Sequence, residues 1–216
     1  MEDQLQDEVP ETVQFLLAAG IVLWVLTGDK LETARTIALS SSILNPSMAI
    51  ATVDASEPSA VAAQVAAACA LVGGEGGKAL VIGGAALATV MAVDAPGRSH
   101  AQLIELCKQC RVVVCARCAP VQKAEVVKLV KTHLGKVTLA IGDGGNDVPM
   151  ILSAHVGVGI AGNEGMQAAR SADFAIGEFR KLRKLLAVHG RWNNIRVTDL
   201  IKYSLYKNVT FCLPQV

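Results

Sequence analysis

The chain has 216 residues and a formal net charge of +1, so it can bury a substantial core and has no overall charge that favours nucleic acid or an acidic substrate. Its mean hydropathy is +0.42, but alanine and valine supply much of it. No charge-free stretch offers the roughly 20 strongly apolar residues of a membrane-spanning helix. The acidic segment 1–8 is unlike a secretory signal or a transit peptide.

Helical and strand-like patterns alternate along the chain. Helices are predicted over 9–19, 31–42, 102–109 and 121–133, and strands over 21–26, 48–52, 79–82, 112–115, 137–141 and 156–158. The strands are continuously apolar, which is typical of strands buried on both faces. We therefore predict an α/β fold in which helices flank a parallel sheet.

The region 45–99 differs in composition, because it is rich in Ala, Gly, Ser and Val and has few charges. We interpret it as a divergent, peripheral part of the same domain. The glycines of 71–77 predict a flexible connection within it.

Two polar loops follow predicted strands. The first is Thr27-Gly28-Asp29-Lys30, and the second is Gly142-Asp143-Gly144-Gly145-Asn146-Asp147. Glycines allow the backbone to approach a ligand closely, and carboxylates suit Mg²⁺, which commonly binds one or two of them together with phosphate oxygens. Ligands of parallel α/β sheets bind beyond the carboxyl ends of the strands. The two loops therefore predict one phosphate and metal site.

Four of the six cysteines form two Cys-x-x-Cys pairs, Cys107 with Cys110 and Cys115 with Cys118. The last three also match the spacing of plant-type iron–sulfur ligands. Because 111–114 is predicted to be a buried strand, Cys110 and Cys115 would lie about 16 Å apart, too far for one ion. We interpret these cysteines as core residues.

Further segments extend the pattern of the two loops. They include Leu5-Gln6-Asp7, Val9-Pro10-Glu11-Thr12, Pro120-x-Gln122-Lys123-Ala124, Gly157-Val158-Gly159-Ile160, Glu164-Gly165-Met166-Gln167-Ala168, Val188-His189-Gly190-Arg191-Trp192 and Tyr206-Lys207-Asn208. Together with 24–34, 142–151 and 171–176, they resemble the type IV P-type ATPases, the phospholipid flippases. The two loops alone would fit any P-type ATPase, whereas 164–168 and 189–192 are typical of the lipid-transporting branch.

This resemblance implies a haloacid-dehalogenase-like fold and a role for each matching residue. Thr27, Gly28 and Asp29 would lie beside the phosphoryl group. Arg117 would contact the nucleotide, and Asn146 would orient the second loop and a phosphate oxygen. The implied catalytic groups are Lys123, a fixed cation, and the carboxylates Asp143 and Asp147, which are also the implied metal ligands. The implied cofactors are Mg²⁺ and ATP.

The family's reaction starts at an aspartate in an Asp-Lys-Thr-Gly-Thr motif, which this chain lacks. The phosphorylated aspartate, the nucleotide-binding domain and the actuator domain would have to come from other parts of a full-length ATPase. We therefore expect an ATP-driven phospholipid translocase only of the full-length form, and enzymatic activity of this chain alone stays open.

The segment after Gly177 is strongly basic. Its basic residues are Arg180, Lys181, Arg183, Lys184, Arg191, Arg196, Lys202 and Lys207, and the only acid after Glu178 is Asp199. A nucleic-acid-binding helix and a positive-inside stalk before a membrane helix both fit this density. The stalk is favoured, because an apolar run over 209–213 follows the last charge. In the resembling family the matching Tyr-Lys-Asn segment handles the lipid headgroup, which makes Lys207 and Asn208 substrate-path candidates.

We accordingly divide the chain into a partial phosphorylation domain, 1–177, and a helical stalk with the truncated start of a transmembrane helix, 178–216. The expected partners are the phospholipid substrate, the membrane and the missing parts of the ATPase, with an accessory subunit as a further candidate and no nucleic acid. The full-length form would be a multi-pass membrane protein whose present segment faces the cytoplasm. Two other interpretations stay open, a free-standing module that binds Mg²⁺ and phosphate without catalysis, and part of a cation-transporting P-type ATPase.

Three positions depart from the resembling family. Gly145 stands where alanine is usual, Gly83 where the aspartate of an Asp-Gly pair is common, and Cys118-Ala119 where Val-Ser or Val-Thr is usual. None of these positions is an implied ligand of the phosphoryl group or the metal.

Overall fold

The computed structural model describes residues 5–92, 98–161 and 166–213. The chain divides into two compact units, the first ending at Phe179 and the second beginning at Arg180. The predicted α/β architecture is confirmed, since parallel sheets are flanked by helices.

The first unit contains all the strands of the described residues. Its elements are α1 (Val9–Ala18), β1 (Leu23–Leu26), α2 (Leu31–Ser40), β2 (Ala49–Val53), α3 (Pro58–Ala70), β3 (Lys78–Gly83), α4 (Gly84–Met91), α5 (Arg98–Gln109), β4 (Cys110–Ala116), α6 (Pro120–His133), β5 (Leu139–Gly142), a 3₁₀ turn (Gly145–Asp147), α7 (Val148–Ser153), β6 (Val156–Ile160), α8 (Gln167–Ser171) and β7 (Phe174–Ile176). All six predicted strands and all four predicted helices are present, with ends that shift by up to four residues.

The strands form two parallel sheets. Four strands pair in the order β1-β4-β3-β2, and three pair in the order β5-β6-β7. Alternate residues of β4 enter two cores on opposite faces of the larger sheet. Val113 and Cys115 pack on one side with α3, α4 and α5, whereas Val112 and Val114 pack on the other side with α1 and α2.

The region 45–99 is not peripheral, which corrects the interpretation of its composition. It contributes β2, α3, β3 and α4, and β3 lies inside the larger sheet with all six residues buried. The expected flexible connection is instead a tight turn in which Gly74 and Gly77 form an antiparallel bridge. A side chain at Gly74 would overlap the backbone of Ser47, so close packing explains a glycine there.

Strands β1 and β5 lie at the edges of their sheets. In β1, Trp24 and Leu26 pack against one core while Leu23 and Val25 pack against the other, so both faces are covered as predicted. All four residues are nevertheless only half-buried. The reason is that β1 pairs with β4 alone and β5 with β6 alone, which leaves one edge of each strand without a partner in the described part of the chain.

The second unit is helical. It comprises α9 (Lys181–Lys184), a π-helical segment (Leu185–Gly190) and α10 (Arg191–Cys212). Every described side chain of α10 is exposed. None of the helices within the described ranges has the length and apolar character needed to cross a membrane.

Candidate phosphate and metal site

The first loop follows β1 and is held in shape by its own side chains. The Thr27 hydroxyl donates a hydrogen bond to Asp29 Oδ2 at 2.8 Å and accepts one from the Asp29 backbone N–H at 3.1 Å. A side chain at Gly28 would meet nothing within 4 Å, so the space above the loop is open. Thr27 is half-buried, whereas Gly28 and Asp29 are exposed.

A second segment, 115–118 at the end of β4, fixes that loop through the backbone. Thr27 N–H donates to Cys115 O at 3.0 Å, Arg117 N–H to Asp29 O at 2.9 Å, and Cys118 N–H to Thr27 O at 2.9 Å. Arg117 has a φ of 52°, the left-handed conformation that non-glycine residues rarely adopt. This turn leaves the Arg117 side chain exposed beside Asp29.

Helix α6 begins just after this segment and brings a lysine to the second loop. Pro120 suits the first turn because it has no N–H to satisfy, and Gln122 Oε1 accepts the N–H of Ala119 at 2.9 Å. Lys123 Nζ donates to Asp147 Oδ1 at 2.8 Å, with 12% and 15% of the two side chains exposed. One ion pair therefore joins the start of α6 to the end of the second loop.

The second loop follows β5 and is closed by a tight approach of its own backbone. A Cβ at Gly142 would overlap Cβ of Asp147 and lie 2.6 Å from its Oδ2. Only glycine therefore lets Asp147 fold back over the end of β5. Asp143 and Asn146 are exposed, and no hydrogen bond or ion pair of their side chains is found within the described ranges.

The donors fit Mg²⁺ in part. Asp143 has a free carboxylate, the kind of group that Mg²⁺ uses together with phosphate oxygens and water. Oδ1 of Asp147 already accepts a hydrogen bond from Lys123, so this carboxylate is less available to a metal than that of Asp143. Among the residues that the structure describes, no three His, Cys, Asp or Glu side chains cluster as a metal site, so a bound metal would need oxygens from a ligand.

Comparisons with known proteins agree over the whole chain. Residues 169–216 match the family model described as the phospholipid-translocating P-type ATPase C-terminal region. A phospholipid-transporting ATPase of Schizosaccharomyces pombe is 46% identical over 222 residues, covering 100% of this chain and 17% of that protein. One of Saccharomyces cerevisiae is 44% identical over 241 residues, covering 99% of this chain and 15% of that protein.

The chain belongs to the type IV P-type ATPases. It spans between 15% and 17% of the length of these two relatives. Of the residues that the family resemblance implies, Thr27, Asp29 and Arg117 are joined by the contacts around the first loop, and Lys123 is joined to Asp147 of the second loop. Lys207 and Asn208 belong to the second unit, on an exposed part of α10.

Two side chains contact positions where this chain departs from the resembling family, and neither contact can be predicted from the sequence. A Cβ at Gly145 would overlap Oε1 of Gln167, so the amide of Gln167 occupies the space that the usual alanine would fill. Similarly, a Cβ at Gly83 would overlap Oδ1 of Asp54. An acidic group therefore remains at this place although the usual aspartate is absent, and nothing in the spacing of residues 54 and 83 indicates it.

Proposed function

We propose that this chain supplies the magnesium- and phosphate-binding half of the phosphorylation site of an ATP-driven phospholipid translocase. The observation that carries the proposal is that segment 115–118 holds the first loop by three backbone hydrogen bonds and leads directly into α6, whose Lys123 pairs with Asp147 of the second loop. Phosphoryl transfer depends mainly on positioning and on neutralising charge, which such a set of fixed groups can do.

Each group has a distinct proposed part. Thr27 and the open backbone at Gly28 would bind phosphoryl oxygens, and Lys123, held by Asp147, would neutralise their charge. Asp143 would be the direct ligand of Mg²⁺, which supplies additional positive charge at the phosphoryl group when bound. Asp147 would chiefly position Lys123, since one of its oxygens already accepts the lysine's hydrogen bond. Arg117 and Asn146 are exposed and would contact the nucleotide and a phosphate oxygen.

The open edges of β1 and β5 support a site completed by another segment of the full-length protein. Both strands end in a loop of the proposed site. Leu26 of β1 packs against the cluster that contains Ala140 of β5, so the two open edges lie in the same part of the unit. A strand that carries the phosphorylated aspartate could pair with either edge.

The second unit supports the membrane context of the proposal. Its exposed basic residues, among them Arg191, Arg196 and Lys202, suit the cytoplasmic end of a membrane helix. Lys207 and Asn208 would lie on the path of the phospholipid, whose headgroup carries a phosphate that a lysine can bind. ATP, the phospholipid, the membrane and an accessory subunit are accordingly the proposed ligands and partners of the full-length form.

A chimera tests this proposal directly. The matching segment of the Saccharomyces cerevisiae relative is replaced by this chain, and lipid-stimulated ATP hydrolysis and uptake of a fluorescent phospholipid are measured. We expect both activities, and we expect Asp143→Asn to abolish them, whereas Lys128→Gln, an exposed lysine of α6, leaves them unchanged. A chimera that reaches the membrane at the normal level but neither hydrolyses ATP nor moves lipid would contradict the proposal.

A further inference from the structure

The side chain of Gln122 joins two parts of the chain at the start of α6. Its Oε1 accepts the N–H of Ala119 at 2.9 Å, and its Nε2 donates to Gly84 O at 3.3 Å. Gly84 is the buried first residue of α4, directly after β3. A Cβ there would overlap Arg117 O, so the close approach of this residue to the turn before α6 requires a glycine. One amide therefore ties the carboxyl end of β3 to the first turn of α6.

The N-cap of α6 gives Gln122 more weight in this chain than in the resembling family. The family usually has Ser or Thr at this position, whose hydroxyl would cap the helix together with Gln122 in a reciprocal capping box. Ala119 has no such group. Among the hydrogen bonds of the described residues, the one from the Ala119 N–H to Gln122 is the only contact of a side chain with this N-cap.

The next residue after Gln122 is Lys123, and the two side chains hold the first turn of α6 from different sides. Successive residues of an α-helix point about 100° apart around its axis. Gln122 reaches the end of β3, whereas Lys123 Nζ reaches Asp147 Oδ1 at 2.8 Å. The first turn cannot rotate about the helix axis without moving both contacts. The position of the Lys123 ammonium therefore depends on the two hydrogen bonds of Gln122.

We propose that Gln122 is a positioning residue, which holds the Lys123 ammonium at the second loop by tying the first turn of α6 to Gly84. The consequence for phosphoryl transfer rests on the proposed function, in which Lys123 is the fixed cation. A charge that is displaced from the path of the phosphoryl group stabilises the transition state less. The position of the lysine is a property of this chain and can be measured without ATP.

Competitive acetylation measures that position. The native chain is treated with limiting acetic anhydride, then unfolded and acetylated fully with the deuterated reagent, and mass spectrometry gives the isotope ratio at each lysine. In wild type, Lys123 should react slowly, because Asp147 holds its ammonium and only 12% of its side chain is exposed. Gln122→Met removes both hydrogen bonds and should raise the rate at Lys123 about three- to tenfold, as expected for the loss of one or two ordinary hydrogen bonds.

Two controls separate positioning of Lys123 from a general disturbance of the helix. Lys131, further along α6, donates to Ser153 O at 2.8 Å, so it reports on the rest of the helix and should keep its wild-type rate. Val121→Met places the same new residue at the preceding, exposed position and should leave the rate at Lys123 unchanged.

A second variant, Gln122→Glu, separates the two hydrogen bonds. It keeps an acceptor for the Ala119 N–H but loses the donor to Gly84 O, so we expect faster acetylation of Lys123, as in Gln122→Met. The added carboxylate favours the charged form of a nearby lysine, which slows acetylation, so a rise in rate cannot come from the new charge.

Three acetylation results would overturn the proposal. The first is a wild-type rate at Lys123 in Gln122→Met. The second is an equal rise at Lys123 and Lys131, which would show that Gln122 only stabilises the helix. The third is a wild-type rate at Lys123 in Gln122→Glu, which would show that the bond to Gly84 O does not hold the lysine.

The chimera tests the consequence for the reaction. We expect Gln122→Met to slow formation of the phosphoenzyme about tenfold while the half-saturating ATP concentration stays nearly constant, and to cause no further loss in a Lys123→Met background. A full further loss in that background would overturn the proposal, because Gln122 would then act independently of the lysine. A chimera that is inactive before any substitution would contradict the proposed function alone, and the acetylation rates would still decide what holds Lys123.

Discussion

The two ends of the four-stranded sheet both carry polar groups and cysteines, but they use them differently. At the amino ends of β3 and β4, the buried Lys78 donates to Cys69 O at 3.2 Å and to Gln109 Oε1 at 3.0 Å. Arg111 likewise donates to Leu17 O at 2.6 Å. At the carboxyl ends, Gly28 and the Arg117 side chain are exposed, and Lys123 is paired with the single carboxylate of Asp147.

This difference shows that the hydrogen-bond partners of a buried cation indicate whether it stabilises the fold or can bind a ligand. A cation whose hydrogen bonds all go to the surrounding chain stabilises packing, because a buried charge is tolerated only when it is paired. A cation held by one carboxylate at the mouth of open loops keeps donors for a ligand. Lys78 and Lys123 are therefore the two residues whose replacement tests the comparison most directly.

The largest expected effect is the loss of phosphoryl transfer in Lys123→Met. In the chimeric ATPase we expect formation of the phosphoenzyme to fall by about 10²- to 10³-fold, because a fixed positive charge next to the transferring group is lost. Incorporation of labelled phosphate from ATP measures it. Lys128→Met, on the same helix but exposed, is the matched control and should keep full activity. Equal losses of phosphoenzyme in both variants would show that the substitutions disturb α6, and that the charge of Lys123 is not the cause.

The second expected effect concerns the amino-end thiol Cys107. Burial raises the pKa of Cys107 from its ordinary value of 9.0 to about 12, so the folded state retains a proton that the unfolded state releases. Its contribution to stability is therefore complete below about pH 9 and is lost as pH rises toward about pH 12. In urea unfolding under reducing conditions, wild type should lose about 2 kcal/mol more than Cys107→Ala between about pH 8 and about pH 10.5. Parallel curves for the two proteins would show that burial does not hold this thiol protonated.

Much of the fold follows from the sequence, and the exceptions have physical reasons. The strands were predictable because their apolar runs are continuous and bounded by Gly, Pro or polar residues. Helix α3 was missed because alanines surround its buried positions Val61, Val65 and Ala68, so no apolar stripe stands out. The central position of β3 depends on pairing with β2 and β4, which composition does not report.

The candidate site was predictable in part. The two loops stand out by their carboxylates and glycines, and the family resemblance adds Lys123 and Arg117. The Lys123–Asp147 ion pair joins residues 24 positions apart and needs the packing of α6 beside the second loop. The approach of Gln167 to Gly145 and of Asp54 to Gly83 likewise exists only in three dimensions.

The third prediction compares two glycines of the second loop. Gly142→Ala places a methyl group against Cβ of Asp147, which cannot rotate away, so we expect a loss of about 1–3 kcal/mol in unfolding free energy and a weaker Lys123 pair. Gly145→Ala meets only the end of the Gln167 side chain, which can move, and should change stability by less than about 0.5 kcal/mol. Chemical denaturation of both variants measures the difference. Equal losses would contradict the tight approach at Gly142.

The smallest expected effect is that of Lys78→Met, which tests the comparison between the two ends of the sheet most directly. Methionine fills nearly the same space but leaves Cys69 O and Gln109 Oε1 without their buried donor, so we expect a loss of about 1–2 kcal/mol in unfolding free energy. Because Lys78 lies at the amino end of β3, away from both polar loops, the chimera should form phosphoenzyme at the wild-type rate. A variant that is as stable as wild type but slow in phosphoryl transfer would show that the amino end of the sheet, where Lys78 lies, also contributes to the reaction. If the variant loses stability but keeps phosphoryl transfer, the role of Lys78 is to donate hydrogen bonds to Cys69 O and Gln109 Oε1, and not to bind a ligand.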